Sequence, residues 1–334
     1  MGLHIPAAAL SGAAGGHCDE GFERMADIAA TAEASGFDSI WVSDRPGGAI
    51  APSGRDAPAF EAYTALGALA TRTRTASLGA LVTPVTTRNP AVLAKMVTTL
   101  DVLSGGRAVL GIGMGGAGDD GVTSVVVRPD QSRDDPGGPV GAAPPRPGDG
   151  RRDRLDEALQ ICRAMFTEEA PTFEGRYYRI ERADNRPRPV RACGVPIMVD
   201  GEGDDDVLGL VARYGDAVTV RGSPESVRDA LAALDRHCDE VGRERTAISR
   251  IGVARLVIAP TGDEATERLD RQAATGGWRS GDRAAVLAGS PAAVAGQVAA
   301  LVDVGVDGVV VTMADAHELE LVELAGTTLH PLLG

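Results

Sequence analysis

Lysine is almost missing from this chain: Lys95 stands alone in 334 residues, and arginine supplies every other fixed positive side chain. Together the two bases number 33 against 47 Asp and Glu, which leaves a net charge of −14. That shortage of positive charge excludes nucleic acid and anionic membrane surfaces as partners, since both bind through basic patches. The lysine-for-arginine skew reads as base-composition bias rather than function. Cysteine is scarce, at 18, 162, 193 and 238 with no CxxC spacing. A disulfide framework is therefore not expected; reduced thiols in a cytoplasmic protein are. No apolar run reaches the roughly 18 residues of a membrane span. No base precedes Arg24, so no signal peptide is expected either. Aromatics are only 3% of a chain that is 43% hydrophobic. A core can form, built mostly from Ala, Val, Leu and Gly.

The richest stretch is Leu78–Gly116. It reads as strand, sharp turn, helix, glycine stop, strand, glycine loop. Short joints of this kind imply a parallel sheet with helical crossovers. Asn89 suits a helix N-cap and Pro90 the first helical position, while Gly105 and Gly106 stop the helix. The same reading along the chain gives strands at Leu3–Ile5, Ser39–Val42, Ser77–Thr83, Ala108–Gly113, Val195–Val199, Ala217–Val220, Ile251–Ile258 and Gly308–Val311. Helices are expected at Phe22–Ala34, Ala59–Ala70, Asp153–Met165, Asp204–Tyr214, Pro224–Val241, Asp263–Ala274, Pro291–Val304 and His317–Leu329. Pro171–Ile180 reads as a hairpin. Strands each followed by helix, to this count, indicate a (β/α)8 TIM barrel occupying 1–334 as one domain. A doubly wound sheet with a cap is the alternative. The barrel carries a long insertion after strand 4, Met114–Gly150, dense in Gly, Pro, Asp and Arg. Loops of this length are lids or mobile segments, and this one is expected to be partly both.

Several ordered pieces resemble the bacterial luciferase-like superfamily, above all its branch using the deazaflavin F420. They are GFDSIWVSD at Gly36–Asp44, LGALVTPVTTRNPAVLAKMVTTLDVLSGGR at Leu78–Arg107, GIG at Gly111–Gly113, RLDEALQICRAMFTEE at Arg154–Glu169, FEGRYYRI at Phe173–Ile180, VARYGD at Val211–Asp216, GSPESV at Gly222–Val227, and GSPAAVAGQVAALVDVGVDGVVV at Gly289–Val311. The resemblance implies an F420- or FMN-dependent oxidoreductase or monooxygenase acting on a small organic substrate at the C-terminal ends of the strands. It implies a non-prolyl cis peptide under the cofactor ring, by position Ala80–Leu81, with Ala80, Leu81 and Val82 beneath that ring. A homodimer is expected, with a flavin reductase partner if FMN is the cofactor.

The departures from the family carry as much information. Where relatives place a histidine after the second-strand Asp44, this chain has Arg45. An imidazole moves protons near neutral pH; a guanidinium cannot act as a base. Arg45 and Asp44 are therefore the catalytic candidates, Arg45 holding an anionic substrate or stabilising developing negative charge; the alternative is a surface arginine paired with Asp44. Gly113, Met114, Gly115 and Gly116 offer backbone rather than side chains to a flat ring. After the fifth strand, Gly201 and Gly203 stand in a turn with Asp200, Glu202, Asp204, Asp205 and Asp206. A carboxylate about 4 Å from a cofactor phosphate repels it by roughly 1–4 kcal/mol. Either the aspartates cap their own helix, or arginines such as Arg221, Arg279 and Arg283 compensate. The spacing matches no calcium loop. Ser290 precedes Pro291 near the usual phosphate loops of a barrel, and is a further cofactor candidate. His4 is read as a hydrogen-bonded structural residue, His17-Cys18 and His237-Cys238 as unlinked pairs, and Tyr177-Tyr178 as packing or subunit contact. These departures leave a second reading open: a relative that has lost the redox cofactor and uses the barrel mouth for cofactor-free catalysis or binding.

Overall fold

The computed structural model describes residues 1–6, 18–44, 49–50, 56–57, 60–115, 150–201, 203–274 and 285–333, with backbone alone at 18–20, 49–50 and 56–57. Its helix starts follow the local chemistry. The Asn89 side chain accepts from the Ala91 amide, Pro90 takes the first turn, and Gly105 closes α3 (Pro90–Ser104) at φ 70°. Ser223 caps α6 (Pro224–Val241) by accepting from the Ser226 amide. Glu61 caps α2 (Ala62–Leu69), which is why that helix begins three residues later than its apolar pattern suggests. The other described helices are α1 (Cys18–Ala34), α4 (Arg151–Thr167), α5 (Asp205–Tyr214), α7 (Gly262–Ala274), α8 (Pro291–Val302) and α9 (Leu319–Leu333).

Eight parallel strands close into a barrel. They are β1 (Gly2–Ile5), β2 (Ser39–Val42), β3 (Ser77–Ala80), β4 (Ala108–Gly113), β5 (Ile197–Asp200), β6 (Ala217–Val220), β7 (Ser249–Ile258) and β8 (Gly308–Thr312). Each pairs with the next, and β8 returns to β1 with Leu3 opposite Val311 and His4 opposite Thr312. The expected hairpin forms from Phe173–Glu174 and Arg179–Ile180.

Three expectations need correction. The third strand does not run unbroken to Thr83. It ends at Ala80, and Thr83–Pro84 pairs separately with Ile112 and Gly113 of β4. The cis bond between these pieces is Leu81–Val82, one residue later than Ala80–Leu81. β5 starts at Ile197 rather than Val195, because Pro196 has no N–H to give the ladder; its carbonyl accepts from Leu110 instead. A further parallel strand, Val286–Gly289, lies against Arg255–Ile258 at the upper end of β7 and was not expected at all.

Side chains alternate across the wall of the barrel. One set (Leu3, Ile40, Leu78, Leu110, Val199, Val218, Val311) is fully buried against the helices. The other set points inward, where Trp41, Met198, Val253 and Val310 form a separate inner cluster. A Cβ added to Gly79 would come within 2.5 Å of the Trp41 ring. Glycine at that position lets one indole fill the barrel beside Met198, Val253 and Val310. This inner cluster is the floor on which the mouth is built.

Candidate active site

One layer above Trp41, alternation turns the last inward residues of the strands into the barrel mouth. They are His4 on β1, Ser43 after β2, Leu81 after β3, Gly113 on β4, Asp200 on β5, Thr219 and Arg221 on β6 and just beyond, Arg255 on β7, and Thr312 on β8. Leu81, Val82, Met114 and Gly115 are half-buried and give one side of the mouth an apolar floor. A Cβ on Gly113 would sit 3.0 Å from both the Asp200 Cβ and the Val82 Cγ2. The missing side chain therefore keeps that floor low.

The rest of the rim is polar and internally bonded. The His4 ring, 9% exposed, has Nδ1 2.9 Å from the Thr312 hydroxyl and Nε2 2.9 Å from the Ser43 hydroxyl. Burial, helped by the positive charge of Arg221, pushes its pKa down to about 4, so the ring is neutral at physiological pH. Asp200 is buried and accepts from the Thr219 hydroxyl at 2.5 Å and from Arg221 at 3.0 Å. Beneath the β2–β3 rim, Asp44 is 2% exposed and ion-paired with Arg88. Burial raises its carboxyl above the usual range despite the pull of that arginine. Arg88 also bonds Glu61 at 2.6 Å and lies 5.3 Å over the Tyr63 ring, whose hydroxyl bonds Thr83 at 2.8 Å.

The acidic turn after β5 is closed on itself. The Asp204 side chain accepts from the amides of Asp206 and Val207 at the start of α5. The Gly201 amide donates to the Thr219 carbonyl, and Gly203 turns the chain at φ 74°. Arg152 pairs with Asp204 and Asp206 from outside. The N-terminus of α8 differs. Ser290 occupies the cap position without a side-chain hydrogen bond to the first turn, and it follows the strand Val286–Gly289 at the mouth end of β7.

Comparison with known proteins fits this geometry. The luciferase-like monooxygenase family matches residues 2–308. The chain belongs to that family. It is 31% identical over 233 residues to an F420-dependent glucose-6-phosphate dehydrogenase of Kineococcus radiotolerans, covering 68% of this chain and 61% of that relative's length. Among solved structures it resembles the coenzyme F420 dependent tetrahydromethanopterin reductase from Methanopyrus kandleri, with TM-score 0.76, 19% identity, and coverage of 100% and 99% of the two chains. It also resembles the oxygenating constituent of 3,6-diketocamphane monooxygenase from Pseudomonas putida in complex with FMN, with TM-score 0.72, 17% identity, and coverage of 100% and 98%.

Of the residues singled out from this luciferase-like sequence, Leu81, Val82, Gly113, Met114, Gly115 and Arg221 gather at the mouth. Ala80 is fully buried on the helix side of β3. Gly201 and Gly203 form a turn in which the Gly201 amide donates to the Thr219 carbonyl and the Asp204 amide to the Gly201 carbonyl. Asp44 is ion-paired with Arg88. Arg45, Gly116, Glu202, Arg279 and Arg283 lie outside the described residues, as does most of the insertion (116–149). Sequence reading missed Ser43, Thr219, Arg255 and Thr312. Strand parity was the available signal: each follows an inward residue by two, as Ser43 follows Trp41, Arg255 follows Val253 and Thr312 follows Val310.

Proposed function

We propose that this luciferase-like protein is an oxidoreductase that uses F420, with FMN as the alternative, to oxidise or reduce a small organic molecule in the barrel mouth. The observation that carries the reading is the mouth itself: an apolar, side-chain-poor floor bordered by a bonded polar rim. A flat tricyclic ring suits that floor, over Leu81 and Val82 and against Gly113, Met114 and Gly115. The bound cofactor would supply hydride chemistry that no side chain can. Its phosphate does not fit the start of α5, where Asp204 already holds the amides. The start of α8, where the Ser290 side chain makes no hydrogen bond to the first turn, is the better match for an anion. In this reading Asp44 anchors the β2–β3 rim through Arg88 and leaves the chemistry to other groups.

Two further points support the setting. Val92 and Leu103 on the outer side of α3 are 54% and 64% exposed, which suits burial against a second copy. Cys162, Cys193 and Cys238 are free thiols, as a cytoplasmic protein would keep them. A flavin reductase partner follows only if FMN is used.

The plugged start of α5 favours the second reading, a family member without redox cofactor. Fluorescence titration with F420 and with FMN decides between them. Saturable binding of either in the low micromolar range supports the oxidoreductase. No binding of either at high micromolar concentration overturns it in favour of a cofactor-free barrel.

A further inference from the structure

An oxidoreductase that moves a hydride must also move a proton, and Arg45, next after Asp44 in the chain, cannot accept one. The mouth contains an imidazole on a different strand. His4 sits on β1 between two hydroxyls, Ser43 just after β2 at 2.9 Å and Thr312 on β8 at 2.9 Å. The three groups make one continuous hydrogen-bonded chain across three adjacent strands. Ser43 and Thr312 are half-buried and His4 is 9% exposed, so the ends reach the mouth while the middle is sealed.

We propose that Ser43, His4 and Thr312 form a proton wire that serves the reacting oxygen of the substrate. The proposal rests on the oxidoreductase reading above. The wire works without charging the ring. As the substrate hydroxyl gives its proton to the Ser43 oxygen, Ser43 passes its own proton to His4 Nε2. His4 gives the proton on Nδ1 to Thr312 Oγ1, and Thr312 releases its former proton to water. One proton enters, one leaves, and the imidazole changes only its tautomer. In the opposite direction the same wire delivers a proton to a carbonyl oxygen.

The surroundings favour this neutral relay over an ordinary acid–base histidine. Arg221 on the β6 side makes a cation on His4 costly, and burial adds to that. Arg255, paired in register with Thr312, adds a second positive charge to the same layer. The nearest rim carboxylates do not act on the ring: Asp200 is spent on Thr219 and Arg221, and Asp44 on Arg88. A histidine so placed is a poor base but a good bridge, because both nitrogens already have hydroxyl partners.

The test has two arms. In the protein without cofactor, long-range 1H–15N NMR should show the His4 ring neutral from pH 5 to 8, with one protonated and one bare nitrogen. Ser43→Ala and Thr312→Val should each change the tautomer ratio. A ring that titrates near pH 6.5, or that ignores both substitutions, overturns the wire. In the F420-loaded protein, with isopropanol and glucose 6-phosphate as probe hydride donors, Ser43→Ala and Thr312→Val should each lower kcat about 100-fold and abolish the solvent isotope effect. F420 affinity and KM should stay within threefold. Thr312→Val decides most, since Thr312 lies at the far end of the wire from Ser43. Unchanged kcat in that variant overturns the proposal even if Ser43→Ala is slow. If neither alcohol reacts, the NMR arm decides alone. If neither F420 nor FMN binds, the oxidoreductase reading fails, and the NMR arm then shows whether the hydrogen-bonded chain exists independently of it.

Discussion

Arg88→Met should be the most damaging single change outside the inner cluster of the barrel. Asp44 is 2% exposed and its partner's side chain 13% exposed, so the ion pair is taken largely out of water. Removing one member of such a pair leaves an uncompensated buried charge, which costs roughly 3–5 kcal/mol. Glu61 keeps its bonds to the Tyr63 and Thr64 amides, so α2 should remain capped. At about 2.1 cal/mol/K per residue, a chain of 334 residues unfolds with an entropy near 0.7 kcal/mol/K, and the loss corresponds to a fall in Tm of roughly 4–7 °C. The pH dependence is diagnostic. Burial already raises the Asp44 carboxyl, and Arg88 opposes that rise. Without the arginine the folded-state pKa climbs further above its unfolded value. Protonation of Asp44 then favours the folded state, so the deficit is greatest at neutral pH and shrinks as pH falls through the raised pKa. Calorimetry of wild type and variant from pH 5 to 8 reads this directly, and Asp44→Asn in the Arg88→Met background should recover most of the loss. A variant equally unstable at every pH, or a double variant no better than Arg88→Met, would refute the buried-charge argument.

The remaining expectations are smaller. Gly79→Ala drives a methyl to within 2.5 Å of Trp41 and 2.8 Å of the Val109 carbonyl, and should cost about 1–3 kcal/mol by urea denaturation; Trp41→Phe in the same chain should return part of it. Asp204→Ala removes the α5 cap, costs about 1 kcal/mol, and should leave F420 affinity unchanged or improved; a large loss of affinity would return the phosphate to that turn. Ser290→Ala should weaken binding of the same cofactor severalfold with no change in Tm. Burial raises the Glu33 carboxyl, but donors at Arg74, Thr75 and Ala76 outweigh it and the net shift is downward. A depressed carboxyl stabilises the fold above its unfolded pKa and loses that contribution as pH falls through the folded one, so Glu33→Gln should narrow the stability gap between pH 7 and pH 3.

How much was legible in the amino-acid order follows from how local each signal is. Asn89-Pro90, Ser223-Pro224 and the glycines at 105 and 106 act within a few residues, so all eight barrel strands and their order were legible. Val286–Gly289 was not, because a four-residue run of Val, Leu, Ala and Gly carries no period and needs the edge of β7 to become a strand. The site depends on distant partners: His4 lies 308 residues from Thr312 and 39 from Ser43, and Asp44 lies 44 from Arg88. The register of β1 against β8 and β2 brings the His4 partners together, and the chain leading into α3 brings Arg88 to Asp44. Once the barrel was inferred, parity along each strand would have named the inward residues, but not their bonds.

The same geometry bears on the apparent conflict between an acidic chain and an anionic cofactor. Net charge of −14 describes the whole molecule, whereas salt screens exposed charges beyond about 8 Å at physiological strength. The local balance at the mouth is different. Asp44 is matched by Arg88, Asp200 by Arg221, and Asp204 is both a helix cap and a partner of Arg152. His4 is neutral, and Arg255 stands in the same inward layer. The described rim is therefore far less acidic than the protein that surrounds it. That is the pattern expected if the carboxylates near the mouth shape the rim, each held by its own cation, and leave little negative charge facing a ligand. It also explains why the acidic turn after β5, read in isolation, argues more strongly against an anion than the assembled mouth does.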